Sequence, residues 1–104
     1  MKKEIKWTKI GDLEWSKDLG SMNWNDAVKW CKEQGGRLPK RWEMIKAVDE
    51  HFDEIQDLIK SSPSYFFWSG TEYSATNAWY VNLDNGTTYY VSKSTSSNQV
   101  RCVR

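Results

Sequence analysis

Residues 35–39, which separate two helical patterns, constrain this fold more than any other stretch of the chain. Gly35 can adopt the left-handed conformation that closes a helix, and Pro39 disfavours helical backbone at the residue before it. The first helix is therefore predicted to end at the glycine pair, and the second to start at a new angle. Leu38 is expected to be extended and buried, and Trp42 to pack into the core.

The helix before this junction begins at a clear capping signal. Asn23 is a preferred N-cap residue, and Asp26 lies three positions later, as in a capping box. The apolar positions then recur at intervals of three and four, which predicts one buried face, and Trp30 lies off it. The predicted buried residues are Trp24, Ala27, Val28 and Cys31.

A second helical pattern starts near residue 40 or 41. Its apolar positions also recur at intervals of three and four, which is typical of a helix with one face on the core. His51 interrupts the pattern and predicts either a kink or a break into two helices. The apolar residues of this pattern are Ile45, Val48, Phe52, Ile55 and Ile59.

The remaining segments have the composition of strands and turns. The aromatic run 65–68 suits a strand buried on both faces, and Asp84-Asn85-Gly86 is a strong hairpin signal. Strands, then helices, then a strand meander predict an α+β fold, and the length predicts one domain, 1–104. The predicted strands are residues 5–10, 13–16, 65–68, 77–83, 87–92 and 99–104.

Charge and hydropathy argue against two classes of partner. The net charge is +1 and there is no block of Lys and Arg, so nucleic-acid binding is not expected. No segment approaches the roughly 18 apolar residues of a membrane span, so membrane insertion is not expected either. The charged start of the chain is not followed by the apolar segment of a secretory signal. The chain is then cytoplasmic, leaves the cell by another route, or lacks its natural N-terminus.

Tryptophan and tyrosine are unusually frequent, with seven and five residues among 104. Both side chains bury large areas and carry a polar tip, so this frequency is typical of an aromatic core, of a sugar- or protein-binding face, or of both. We expect most of the tryptophans to lie in the core, because a small domain needs large side chains to reach adequate burial.

The two cysteines, Cys31 and Cys102, are too far apart in sequence to form a C-x-x-C metal or redox motif. They are either two buried thiols or one disulfide that joins the first helix to the last strand. A disulfide would indicate an oxidising surrounding, extracellular or virion-associated, whereas free thiols would agree with a cytoplasmic location.

Five motifs follow one another in the order MNWNDAVKWC, GGRLPKRWEM, FFWSGTE, AWYVNLDNG and VRCVR. Together they resemble the C-type-lectin-like superfamily, and more closely its bacterial and phage branch, the Lcl C-terminal-like domains of unknown function. The resemblance covers residues 22–104. It implies two helices flanking a small, twisted antiparallel sheet, adjacent termini, and a disulfide between Cys31 and Cys102.

The residues through which sugar-binding members of this superfamily hold calcium have no counterpart here. There is no Glu-Pro-Asn or Gln-Pro-Asp loop, and the letters Trp-Asn-Asp occur only at 24–26, in the first helix. Lys40 follows the proline, where the family usually has a small residue, so the second helix lacks a strong N-cap. Calcium-dependent sugar binding is therefore not expected, and no metal or cofactor is predicted.

Catalytic sets are also missing from the sequence. The single histidine, His51, has only Glu54 at a helical spacing, and no Gly-x-Ser-x-Gly elbow is present. The formylglycine-generating relatives of the fold use cysteines late in the chain, and only Cys102 is late here. We therefore predict that the protein is not an enzyme.

The resemblance places a ligand site on the last strands and their loops. Tyrosine and asparagine suit recognition there, because they combine a rigid amphipathic ring with an adaptable amide. Period two assigns Trp79, Val81 and Leu83 to the core. It leaves Tyr80 and Asn82 for ligand, or merely for a hydrated sheet face. The candidate ligand-binding residues are Tyr73, Asn77, Tyr80, Asn82, Asn85, Tyr89, Lys93 and Asn98.

The prediction is thus a calcium-independent module that binds a cell-surface protein or glycan, and a phage or prophage source would reconcile a disulfide with the lack of a signal. One variant is a display protein whose C-terminal Asn and Tyr positions are diversified. An alternative of another class is a structural or assembly domain whose aromatic face packs against its own copies.

Overall fold

The computed structural model describes residues 5–104, and the charged start of the chain, residues 1–4, lies outside them. Within the described residues, three helices and seven strands form an α+β domain. The elements are β1 (Trp7–Ile10), β2 (Leu13–Ser16), β3 (Ser21–Met22), α1 (Trp24–Glu33), α2 (Arg41–Glu50), α3 (Phe52–Ile59), β4 (Phe66–Glu72), β5 (Asn77–Asn82), β6 (Thr88–Ser92) and β7 (Asn98–Gln99).

The strands form a hairpin, β1–β2, and a five-stranded sheet in the order β3-β7-β4-β5-β6. All pairs are antiparallel except β4–β7, which is parallel. The end of the chain runs beside β2, where Glu14 and Arg104 exchange backbone hydrogen bonds of 3.0 and 3.1 Å. The two ends of the domain are therefore adjacent, as the resemblance implied.

Helix α1 has the predicted start and stop. The Asn23 side chain accepts a hydrogen bond from the Asp26 N–H, and Gly35 has a φ of +80° just beyond the helix. Arg37 then exchanges backbone hydrogen bonds with Val103, and Leu38 is buried. The chain therefore leaves α1 in a new direction, which the pairing of Arg37 with Val103 fixes.

The Cys31–Cys102 disulfide is confirmed, with the two Cα atoms 5.4 Å apart. It joins α1 to the C-terminal segment, and both cysteines are fully buried. Around it lies the smaller of two apolar clusters, which packs α1 against one face of the sheet. Its other buried members are Ala27, Leu38, Trp68, Ala78 and Val100.

The larger apolar cluster packs α2 and α3 against the opposite face of the sheet and against the β1–β2 hairpin. Phe67 belongs to this cluster and the next residue, Trp68, to the smaller one, so this part of β4 is buried on both faces as predicted. Tyr65 and Phe66, in the first half of the same aromatic run, are exposed. The buried members of the larger cluster are Ile10, Trp15, Met44, Ala47, Val48, Ile55, Ile59, Phe67, Val81, Leu83 and Val103.

The pattern after residue 40 forms two helices separated at His51, which is one of the two alternatives that the sequence left open, and the described residues therefore contain three helices. Three side chains on the helices that were predicted to be buried are exposed. Trp42 is 58% exposed, because Met44, Ala47 and Val48 already fill the core on this helix. Phe52 and Val28 are also exposed, because the buried stripe on each helix is narrower than the spacing of apolar residues suggested.

The start of α2 is capped despite the unsuitable Lys40. The Glu43 carboxylate accepts a hydrogen bond of 2.8 Å from the Lys40 N–H, and the Thr71 hydroxyl accepts one of 2.9 Å from the Arg41 N–H. A residue near the end of β4 thus supplies part of the cap, which ties the start of α2 to the central strand of the sheet.

Candidate functional site

Period two along β5 correctly separates buried from exposed side chains only toward the end of the strand. Val81 and Leu83 are fully buried under α2 and α3. Trp79, on the same face, is only half-buried, so its assignment to the core is wrong. Tyr80 packs partly against the smaller apolar cluster and has the ring of Phe66 at 5.4 Å. The face expected to be polar is therefore partly apolar.

Four aromatic side chains, Tyr73, Trp79, Tyr89 and Tyr90, contact one another at the end of this sheet, and we call them the aromatic cluster. Tyr73 and Tyr90 stack with centroids 3.7 Å apart and planes within 5° of parallel. Trp79 meets both rings edge-on, at 5.6 and 5.2 Å. The Tyr89 ring lies 5.5 Å from that of Tyr90.

The backbone holds the cluster in place. Trp79 and Tyr90 are directly paired across β5 and β6, which brings their side chains together. Tyr73 follows β4 and turns back so that its N–H donates to the Asn77 carbonyl at 3.0 Å. The Arg41 guanidinium carbon lies 4.1 Å from the centre of a Trp79 ring, and this cation–π contact joins the cluster to α2.

The aromatic cluster is partly exposed and carries tyrosine hydroxyl groups. Tyr73 is 51% exposed and Tyr89 is 62% exposed, whereas Trp15, Phe67 and Trp68 are buried in the core. The neighbouring Tyr73 hydroxyl is the main cause that raises the pKa of Tyr90 above its ordinary value. The phenol of Tyr90 can donate as well as accept a hydrogen bond.

The other candidate residues have internal partners. The Asn82 side chain accepts from the Asp84 N–H, and the Asn85 side chain accepts from the Thr87 N–H and hydroxyl, so both brace the hairpin turn. Lys93 is buried, and its ammonium group donates to the Glu72 carboxylate at 2.8 Å and to the Ala75 carbonyl at 3.0 Å.

The structure therefore brings together only part of the predicted set. Tyr73, Tyr89 and Asn77 lie at the end of the sheet that carries the cluster. Tyr80 lies on the face that α1 partly covers, and Asn98 belongs to β7, two strands away from β5 in the sheet. Ligand binding by each of the eight residues stays a prediction.

Sequence reasoning missed Tyr90, Trp79 and Arg41 as members of this surface. The sequence did contain a signal for Trp79 and Tyr90. The Asp-Asn-Gly turn sets the register of the strands before and after it, and that register places Trp79 opposite Tyr90. No local pattern pointed to Arg41, because it belongs to α2, which begins more than thirty residues before the aromatic cluster in the chain.

Across residues 5–104, no three His, Cys, Asp or Glu side chains are grouped so that they could hold a metal ion. The Nδ1 atom of His51 lies 3.3 Å from a carboxylate oxygen of Glu54. None of the described helices combines the length and apolar character needed to cross a membrane.

Comparisons with known proteins agree on the fold. A family model described as the Lcl C-terminal domain matches residues 2–104. None of the curated proteins is significantly similar to this chain in sequence. The Yersinia pseudotuberculosis adhesin InvE is structurally similar, with a TM-score of 0.74 and 14% identity over 97% of this chain, which spans only 34% of that protein.

Two further solved structures are similar over nearly their whole length. Botrocetin has a TM-score of 0.65 and 19% identity, covering 93% of both chains. EMS16, described as an antagonist of collagen receptor integrin alpha2beta1, has a TM-score of 0.64 and 13% identity, covering 94% of this chain and 95% of its own. At such identities the likeness establishes the C-type-lectin-like fold alone.

Proposed function

The chain belongs to the Lcl C-terminal domain family, and from this premise we propose that it is a calcium-independent binding module that uses the aromatic cluster to recognise a protein or glycan at a cell surface. Similar folds occur in an adhesin and in an antagonist of a collagen receptor integrin. These neighbours support a role in binding or adhesion rather than in catalysis.

The observation that carries the proposal is the exposed Tyr73–Tyr90 stack with Trp79 against its edge. Aromatic side chains held rigidly at a surface lose little conformational entropy on binding, and they dominate the energetics of many interfaces. The tyrosine hydroxyls add hydrogen-bonding groups at the rim. A protein partner is favoured, because a planar aromatic surface with polar tips matches the composition of protein interfaces.

The proposal is tested by measuring binding of the labelled domain to cells and to immobilised glycans. We expect Tyr89→Ala and Tyr90→Ala to lower affinity about tenfold or more, as removal of central aromatic residues does at other interfaces. Trp30→Ala is the matched control, because Trp30 is an exposed aromatic residue on α1, outside the cluster. Binding that survives both tyrosine substitutions would show that the site lies elsewhere.

The same assay tests the other parts of the proposal. Binding should persist in a calcium chelator, and protease treatment of the cells should abolish it if the partner is a protein, whereas glycosidase treatment should do so if the partner is a glycan. The disulfide supports a role in an oxidising surrounding, outside a cell or on a virion.

Self-association is the second candidate, because the same exposed aromatic rings could pack against another copy. Mass across a size-exclusion peak distinguishes the two functions. A monomer that binds cells supports recognition of a foreign partner, and a dimer that Tyr89→Ala dissociates supports assembly.

A further inference from the structure

A cavity of about 370 Å³ lies between the β1–β2 hairpin and helix α2, away from the aromatic cluster. Its lining includes Ile10, Trp15 and Ala47, which are buried members of the larger apolar cluster. The cavity therefore reaches the core, and its volume falls within the range of small-ligand sites.

One wall of this cavity is Trp42, which is 58% exposed. Several large apolar side chains of the domain are exposed, and Trp42, on the first turn of α2, is the one among them that lines this cavity. The Trp42 ring gives a ligand an accessible aromatic surface, whereas Trp15, which is 1% exposed, belongs to the apolar floor of the cavity.

The rim of the cavity is negatively charged. Asp12, Glu43 and Glu50 line it, with Lys46 as the opposing charge. Glu43 is held by Arg37, whereas Asp12 and Glu50 form no ion pair among the described residues. The segment 41–59 contains six carboxylates and two Lys or Arg residues, a net charge of −4 in a chain of net charge +1. A cationic group is thus attracted toward this helical layer.

The end of the cavity is closed by His51 and the β1–β2 turn. Gly11 has a φ of +64°, and a Cβ there would lie 2.8 Å from the His51 Nε2 atom. The imidazole therefore packs directly against the backbone of the turn, while its other nitrogen faces Glu54. The turn and α2 are held together at this end, which keeps the shape of the cavity.

We propose that this cavity receives a lysine or arginine side chain of a partner polypeptide. The methylene groups would pack against Trp42, over the apolar floor of the cavity, and the cationic head would face Asp12 and Glu50 at the rim. An anionic side chain would meet three carboxylates there, and a purely apolar one would leave two of them desolvated without a partner. This site is separate from the aromatic cluster and does not depend on it.

Titration with Nα-acetyl-lysine N-methylamide tests the proposal, with the indole N–H signals of Trp42 and Trp15 as the NMR readout. The norleucine and glutamate analogues serve as neutral and anionic comparators of similar size. We expect saturable shifts with the lysine probe, weaker binding of norleucine and none of glutamate. An arginine analogue tested in parallel establishes which cationic head fits better.

Variants give the sharper test. Glu50→Gln should weaken binding of the lysine probe about two- to fivefold, and Lys46→Gln should strengthen it by a similar factor, as expected for partly exposed charges. Trp42→Ala should weaken it about tenfold through lost apolar and cation–π contact. Tyr89→Ala should leave it unchanged. Any of three results would overturn the proposal: the Trp42 signal shows no saturable shift, the norleucine probe binds as tightly as the lysine probe, or Glu50→Gln and Lys46→Gln both leave the affinity unchanged.

Discussion

Tyr73 and Tyr90 stack almost face to face, with ring centroids 3.7 Å apart, although they lie in different segments of the chain. Isolated aromatic pairs favour offset or edge-on arrangements. The stack therefore depends on the backbone, which holds Tyr90 in β6 and folds Tyr73 back toward the start of β5. The two rings are therefore already ordered in the unbound domain.

The hydroxyl of Tyr73 should control the titration of Tyr90. Tyr73→Phe keeps the stacked ring but removes the hydroxyl that is the main cause of the raised pKa of Tyr90. That pKa should move back toward the ordinary 10.0, as measured by the ultraviolet absorbance of the phenolate. Tyr65→Phe is the control, and a Tyr90 titration unchanged by Tyr73→Phe would contradict the assignment.

The same shift gives a pH dependence with a definite sign. Because the folded-state pKa of Tyr90 is raised, its contribution to the free energy of unfolding is fully present below the unfolded pKa of about 10. It is lost as the pH rises through the higher folded value. Denaturant titrations at alkaline pH should show a smaller loss of stability in Tyr73→Phe than in the parent chain.

Glu43 should make the domain sensitive to acid. The Arg37 guanidinium donates two hydrogen bonds to this carboxylate, at 2.7 and 2.9 Å, and holds its pKa below the ordinary 4.5. This stabilisation is present above the unfolded pKa and is lost as the pH falls through the lower folded value. Glu43→Gln should cost about 1 kcal/mol at neutral pH, because Glu43 also caps α2.

The test for Glu43 is chemical unfolding at several pH values. The difference in the free energy of unfolding between the parent and Glu43→Gln should shrink as the pH falls below the ordinary 4.5 and through the lower folded pKa of Glu43. Glu33→Gln is the control. A difference that stays constant with pH would mean that the charge of Glu43 does not contribute.

The Cys31–Cys102 disulfide should supply a large part of the stability. It joins residues 71 positions apart, for which the chain-entropy account gives about 4 kcal/mol. Reduction, or the double substitution Cys31→Ala with Cys102→Ala, should lower the free energy of unfolding by about that amount. Unfolding in urea with and without reductant measures it, and the double variant should be insensitive to reductant. A loss below about 1 kcal/mol would disagree with this account.

The two glycines of the junction should respond to alanine for different reasons. Gly36→Ala should cost more than about 2 kcal/mol, since the new Cβ would lie 2.6 Å from the Val103 carbonyl oxygen. Gly35→Ala should cost about 1 kcal/mol, because only its left-handed backbone is strained and nothing lies within 4 Å. Thermal unfolding of both variants tests this ranking, which would be refuted by the reverse order.

Local features of the fold were readable from the sequence because single residues impose them on their own backbone. Asn23 caps α1, Gly35 closes it, and the Asp-Asn-Gly turn joins β5 to β6, as predicted. These effects depend on side chains and dihedral angles within a few residues. The disulfide and the adjacent termini required more, and came from the order of motifs rather than from any one of them.

The exposure of each aromatic residue was decided by the tertiary structure alone. Trp42 and Trp79 were both expected in the core, Trp79 from the period of its strand, and yet one is exposed and the other half-buried. Periodicity tells which face of a helix or strand a residue occupies, but not how far the neighbouring layer extends over that face. The sequence thus determined the elements and their order, and only the packing of α2 and of the Tyr73 loop against the sheet edge created the aromatic cluster and the cavity beside Trp42.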